Sequence, residues 1–234
     1  MFIIEMAKLK IKINNRFSFL EKLCKDYIID EETYDFEVSV TDDDINKEKN
    51  ASDGNFSVGY LESICIYRKI SEKVPQYNCI LLHAAVIQVD DDAYAFCAKS
   101  GTGKTTHTKL WKQLLGDKMS YINGDKPLIR IIDDQIYAFG TPWNGKEKYG
   151  TNSYAKLKAI AFIERDLTNS IIHLPKIEVL PRIIHQILLP KDEDNLSKTF
   201  EILNEVVGKT NTYLLKCNMD IEAAQIAYTQ MRKD

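Results

Sequence analysis

Apolar positions recur at two spacings along this chain, and the switch between them marks its elements. Leu9-Lys10-Ile11-Lys12-Ile13 and Phe36-Glu37-Val38-Ser39-Val40 alternate apolar and polar side chains, the period of a strand with one buried face. Phe17, Leu20, Leu23, Cys24 and Tyr27 return at helical spacing, as do Leu61, Ile64, Cys65 and Tyr67 within 58–70. Between Asp42 and Asn55 the chain is polar and charged, which predicts a mobile loop with a solvated acidic surface at its start.

From residue 79 the apolar runs lengthen. Cys79 to Val89 reads as one strand and Asp90-Asp91-Asp92 as a hairpin turn, with Tyr94 to Ala98 returning antiparallel. Met119 to Ile122 is a strand, and Leu128–Ile132 with Ile136–Phe139 makes a second hairpin around Asp133-Asp134-Gln135. Further strands are expected at 159–163, 170–174 and 212–216. Helices are expected at 105–115 with Gly116 as stop, at 176–189, at 195–207, and at 221–231 with Asp220 as N-cap and Glu222 in the first turn. Hairpins of this kind exclude an all-parallel sheet with crossover helices. The expected fold class is α/β, with a mixed, largely antiparallel sheet and flanking helices. Residues 76–234 form the main domain. Residues 1–75 form an N-terminal α+β extension, either a small lobe or elements packed on the edge of that domain, the second being preferred.

Composition narrows the function classes. The chain has 234 residues, 44% hydrophobic and 28% charged, and a formal net charge of −3. Phosphate-backbone binding needs a basic surface, so a general nucleic-acid binder is not expected. No apolar run reaches membrane-spanning length, and the Met1 to Met6 start carries an early acid and no cleavable signal pattern, so the cytoplasm is the expected compartment. The five cysteines are odd in number and never spaced C-x-x-C, which fits neither a disulfide framework nor a zinc site. His107, His173 and His185 lack metal-ligand spacing and read as ordinary surface or core residues.

Chemistry concentrates at Ala98-Lys99-Ser100-Gly101-Thr102-Gly103-Lys104-Thr105-Thr106. The run matches the P-loop pattern G-x-x-x-x-G-K-[ST] except at its first position, where Ala98 stands for glycine. Gly101 and Gly103 permit the backbone turns that aim successive N–H groups at one anion. Ser100 to Thr106 would cradle the phosphates of ATP, Lys104 would reach the β- and γ-phosphates, and the Thr105 hydroxyl would hold Mg²⁺. A strand before and a helix after supply the required context.

Two more stretches stand out. Asn123-Gly124-Asp125-Lys126-Pro127 follows a strand, where a phosphotransferase needs a carboxylate near metal and hydroxyl. Gly140 to Gly150 holds three glycines, Trp143, Lys146 and Lys148, and predicts a shaped loop whose lysines meet transferred phosphate or an acidic acceptor.

Taken together, the His83-bearing strand, the hairpin, the S-G-T-G-K-T loop and an Asp roughly twenty residues on resemble the C-terminal kinase domain of HPr kinase/phosphorylase. The loop wording also resembles that of ATP-dependent phosphoenolpyruvate carboxykinase, which shares a P-loop architecture with a mixed, largely antiparallel sheet. The resemblance covers about residues 79–145 and does not include 1–75. It implies Asp125 as catalytic base and Mg²⁺ ligand, His83 as an electrostatic partner or orienter of Asp125, and Lys104 on the phosphates. Gly124 departs from the pattern, standing where those kinases carry the first of two adjacent aspartates. The implied activity is transfer from ATP–Mg²⁺ to a hydroxyl, first a serine of a peptide or small protein, as in modified-peptide biosynthesis. A small-molecule kinase, and a nucleotide-binding regulatory or assembly module, are the alternatives, and a homo-oligomer is compatible with the sequence. Carboxykinase activity is not expected, because the chain lacks a second metal-ligand cluster and a set of substrate-binding arginines.

Overall fold

A computed structural model describes residues 1–233. The chain opens with β1 (Phe2–Met6), β2 (Leu9–Asn14), α1 (Phe19–Leu23), β3 (Ile28–Ile29) and β4 (Phe36–Ser39). These strands form a four-stranded sheet in the order β3-β1-β2-β4. Two helices follow, α2 (Asp42–Ala51) and α3 (Val58–Lys73). Helix α2 replaces the loop expected there. Thr41 and Asp44 form a reciprocal capping box, and Asp42, Asp43 and Asp44 occupy the first turn, where the helix dipole favours acids. Its polar composition hid it, because Ile45 is its single buried residue.

The main sheet is built from β5 (Cys79–Leu81), β6 (Ala84–Val89), β7 (Asp92–Cys97), β8 (Met119–Asn123), β9 (Leu128–Ile132), β10 (Gln135–Phe139), β11 (Tyr154–Arg165), β12 (Ser170–His173) and β13 (Asn211–Cys217). Its order is β5-β9-β10-β11-β7-β6-β8. Strand β13 continues along the edge of β11 where β10 stops, and β12 pairs outside it. Only β11–β13 and β11–β7 run parallel, so the sheet is mixed and largely antiparallel, as expected. The helices α4 (Lys104–Leu115), α5 (Lys176–Ile183), α6 (Glu193–Lys209) and α7 (Ile221–Met231) flank it. Helix α5 ends earlier than its apolar pattern suggests. Pro181 lies within it, and a short 3-10 turn at Ile184–Gln186 follows. Asp220 occupies the N-cap position of α7, but its carboxylate accepts from the Asn218 amide instead of capping the helix.

One face of the sheet packs Val86, Ala95, Ile160 and Phe162 against Val179, Leu203 and Val206 of α5 and α6. The other packs Phe96, Ala161 and Leu215 against Trp111 of α4 and the alanines of α7. A third cluster joins the N-terminal sheet and α3 to Cys79, Leu81, Leu128 and Phe139 of the main sheet and to Trp143 of the loop after β10. Polar ties reinforce it. The Arg130 guanidinium donates to the carbonyls of Ala7 and Lys8, and the Tyr67 hydroxyl donates to the Lys126 carbonyl at 2.6 Å. All five cysteines are buried thiols.

Candidate functional site

The expected strand from Cys79 to Val89 breaks at Leu82 and His83, and this break builds the site. β5 pairs with β9, whereas β6 pairs with β7 and β8. At the change of partner the backbone donors leave the ladder. Leu82 N–H goes to the Pro127 carbonyl, His83 N–H to the Gln186 carbonyl at 2.7 Å, and Ala84 N–H to the Asp125 carbonyl. The β8–β9 connection crosses the same break and brings Asp125 to His83. Buried Asn123 shapes that connection, its side-chain oxygen accepting from the backbone of Asp125 and Lys126 while its amide donates to Thr141.

Three expected residues converge here. His83 Nε2 lies 3.2 Å from Asp125 Oδ1 and 3.1 Å from Lys104 Nζ. The Lys104 ammonium also donates to the Ala98 carbonyl at 3.1 Å. One imidazole nitrogen thus faces a cation and an anion. Protonated it donates to Asp125, and with its lone pair free it accepts from Lys104. Burial pushes the Lys104 ammonium below its ordinary value, and the Asp125 carboxylate only partly offsets that. Burial pushes the Asp125 carboxyl upward, but the His83 hydrogen bond and the charges of Lys126 and Lys104 outweigh it and hold it below the usual carboxylate range. Asp125 is therefore an ionised acceptor at neutral pH, beside a lysine that is costly to bury without an anion.

The loop between β7 and α4 has the geometry of an anion cradle. Gly101 and Gly103 sit at φ +79° and +128°, and a Cβ at either would meet nothing within 4 Å, so the loop faces open space. No side chain caps the N-terminus of α4, and no acid stands in its first turn. Its first N–H groups are uncompensated positive ends. Ser100 and Thr106 are exposed, and Thr102 and Thr105 half-buried, along this rim. Among the described residues no cluster of three acidic, histidine or cysteine side chains stands ready for a metal, so an ion here would draw on Thr105, Asp125 and its own phosphate ligands.

The Gly140–Gly150 loop packs directly on the acidic corner. A Cβ at Gly145 would lie 3.2 Å from the Asp125 Cβ, and one at Gly124 would lie 2.9 Å from the Asn144 carbonyl oxygen. A glycine at position 124 is thus a packing requirement of this loop. Trp143 anchors the root of the loop, stacked on Tyr67 with ring centroids 4.1 Å apart and donating to the Ser63 carbonyl. Lys146 and Lys148 are exposed at its tip.

Three contributors escaped the sequence reading. Arg165, at the end of β11, donates through Nε to the Thr102 carbonyl at 3.0 Å and through its terminal nitrogen to that of Gly101. Gln186 receives the His83 N–H on its backbone, and its side-chain amide, turned nitrogen-inward, reaches the carbonyls of Ala98 and His83. Asn123 fixes the turn at Asp125. Arg165 and Gln186 act through backbone groups brought close by topology, which no motif spacing records, whereas Asn123 makes a local turn with the amides two and three residues on. His107, by contrast, is core, as expected. It accepts from Trp111 Nε1 at 2.9 Å, and burial pushes its pKa down to about 3.

Among the described residues no helix is long and apolar enough to cross a membrane. No protein-family model matches the chain, and no curated protein matches it in sequence. Among solved structures the chain is similar to the Hpr(Ser) kinase/phosphatase from Coxiella burnetii, at 10% identity and a TM-score of 0.30, over 53% of this chain and 86% of that one. That superposition is partial, and the chemistry of the site is read from its own residues.

Proposed function

We propose that this protein is an ATP-dependent phosphotransferase that moves the γ-phosphate to a hydroxyl. The observation that carries the reading is the contact chain Lys104–His83–Asp125 beneath the glycine loop. Lys104 and the amides of 100–106 hold the phosphates, with Lys104 exchanging the Ala98 carbonyl and His83 for phosphate oxygens. Thr105 and Asp125 would hold Mg²⁺, which would supply charge neutralisation on the phosphates. Asp125 takes the hydroxyl proton as the acceptor oxygen bonds to the γ-phosphorus and the β–γ bridge opens, leaving ADP. His83 keeps the carboxylate oriented and ionised. The first acceptor class is a serine of a peptide or small protein, with a small-molecule hydroxyl as the alternative, and the setting is cytoplasmic.

A binding module with little transfer is the second reading, and the lack of space for a carboxylate at position 124 favours it. Measuring ADP release and acceptor phosphorylation with Mg²⁺–ATP and a panel of hydroxyl-bearing peptides separates the two. The kinase reading expects acceptor-dependent ADP release. It also expects Asp125→Asn to keep nucleotide affinity measured without Mg²⁺ while transfer falls roughly 10²–10⁴-fold. Nucleotide binding with no turnover for any acceptor class would select the module instead.

A further inference from the structure

A surface depression of about 660 Å³ lies on the N-terminal region and is bordered by none of the site residues. A smaller cleft of about 250 Å³ does reach the site. Its apolar wall includes Tyr67, Leu81, Trp143 and Ile187. Arg68, Lys126, His185 and His83 also line it, and no carboxylate does. His83 therefore stands between two spaces, bonded to Lys104 and Asp125 on one side and open to the cleft on the other. The nearest acids are already engaged from outside the lining, Glu48 with Arg68 at 2.6 Å and Asp125 with Lys126 at 3.8 Å.

We infer that this cleft is the acceptor subsite, and that it takes a hydroxyl-bearing molecule with one apolar group the size of an amino-acid side chain and an anionic group beside it. The inference rests on the phosphotransferase reading for the word acceptor. Size sets the first limit. At about 30 Å³ of liquid per water, the cleft holds roughly eight waters, enough for one side chain and its neighbouring polar group. Chemistry sets the second. Apolar and aromatic walls favour an apolar body, and although Glu48 neutralises Arg68, Lys126 shares the single Asp125 carboxylate with His83 and Lys104, which leaves positive charge at the rim for an anion. Position sets the third. A ligand seated against His83 and Lys126 lies beside the carboxylate that both of them contact, which brings its hydroxyl within reach of Asp125.

The test reads the Trp143 indole N–H by NMR in the full chain, distinguished from that of Trp111 by Trp143→Phe. The probes are 3-phenyllactate, the tripeptide N-acetyl-Phe-Ser-Glu-amide and the neutral 3-phenyl-1,2-propanediol, each without nucleotide and with Mg²⁺–ADP. Both anionic probes should shift Trp143 saturably and leave Trp111 unmoved, and the tighter of the two identifies a free small molecule or a peptide as the source. The diol should bind at least about tenfold more weakly, as expected for a lost charge-assisted contact. Lys126→Gln should erase that difference, and Leu188→Phe, which narrows the cleft, should weaken both anions while ADP affinity holds. An unmoved Trp143, equal affinity for diol and phenyllactate, or displacement of the probe by Mg²⁺–ADP would each overturn the assignment. Failure of ADP to bind would sink the nucleotide reading alone, because the titrations without nucleotide still report on the cleft.

Discussion

His83 Nε2 lies 3.2 Å from the Asp125 carboxylate, although the glycine loop and all of helix α4 separate the two in sequence. A strand that changes partners at His83 and a turn that crosses the same point make that meeting. The proposed site depends on a defect in a sheet, where donors freed from the ladder hold both residues in place.

Lys104 separates binding from folding. It is 8% exposed, and burial already disfavours its charge. Lys104→Met keeps the aliphatic stem and removes a costly buried ammonium, so thermal stability should hold or rise slightly. Its folded pKa is depressed, so the wild type should gain stability as pH rises through that value toward the ordinary lysine value, and the variant should lack that gain. Nucleotide affinity should fall about ten- to a hundredfold, the worth of a charge-assisted phosphate contact. Calorimetric titration with Mg²⁺–ADP, beside a melt, checks both. Unchanged affinity would remove Lys104 from the phosphate site.

Acid should unfold the protein in two ranges. His107 is held neutral with a pKa near 3, so the stability it contributes is full above its ordinary value of about 6.5 and is lost as pH falls toward 3. The slope in that window approaches a tenfold change in the folding constant per pH unit. Asp125, also depressed, contributes stability that is present above the ordinary carboxylate range of about 4 and is lost as pH falls through its lowered value. Urea unfolding from pH 7 to 3 should therefore flatten between 6.5 and 4 in His107→Gln and below 4 in Asp125→Asn. A histidine C–H resonance assigned to His107 that titrates near pH 6.5 would contradict the first assignment.

Placing an aspartate at position 124 should not improve the proposed transfer. The added Cβ would press on the Asn144 and Tyr149 carbonyl oxygens at 2.9 and 3.1 Å, and both belong to the loop covering Asp125. Gly124→Asp should cost about 1–3 kcal/mol, as overpacking does, and displace the Gly145 turn. Chemical denaturation with initial-rate assays would show it. A stable variant with faster transfer would mean that the loop yields and that, under the proposed function, a second acid helps the reaction.

The sequence shows the hairpins, the main helices and the glycine loop, because local period and turn chemistry decide them. It misses α2, where a capping box outweighs a polar composition with one buried side chain, and it misses the break at His83, since an apolar run cannot reveal which strands it pairs with. Lys104 and Asp125 stand in recognisable patterns. Arg165 and Gln186 do not, because both meet their targets through main-chain carbonyls that only the folded sheet brings near.

Arg165 carries the last prediction. Its guanidinium holds the Thr102 carbonyl, and a planar peptide obliges the Gly103 N–H of the same unit to point the opposite way, toward the open side of the loop. The Gly101 carbonyl is held likewise, and the Thr102 N–H beyond it is turned back onto the Lys99 carbonyl at 3.1 Å. Two glycines at positive φ would otherwise sample many orientations, so this clamp prearranges the cradle before an anion arrives. Arg165→Ala should leave the fold intact, because the side chain is exposed, yet weaken Mg²⁺–ADP about tenfold. Arg165→Lys should recover little, since an ammonium cannot reproduce a fork that spans two carbonyls. Hydrogen exchange read at the Thr102 and Gly103 amides distinguishes this role from a direct phosphate contact. A clamp predicts faster exchange at both amides in the free protein. Unchanged exchange with weakened binding would instead place the guanidinium on the phosphate itself.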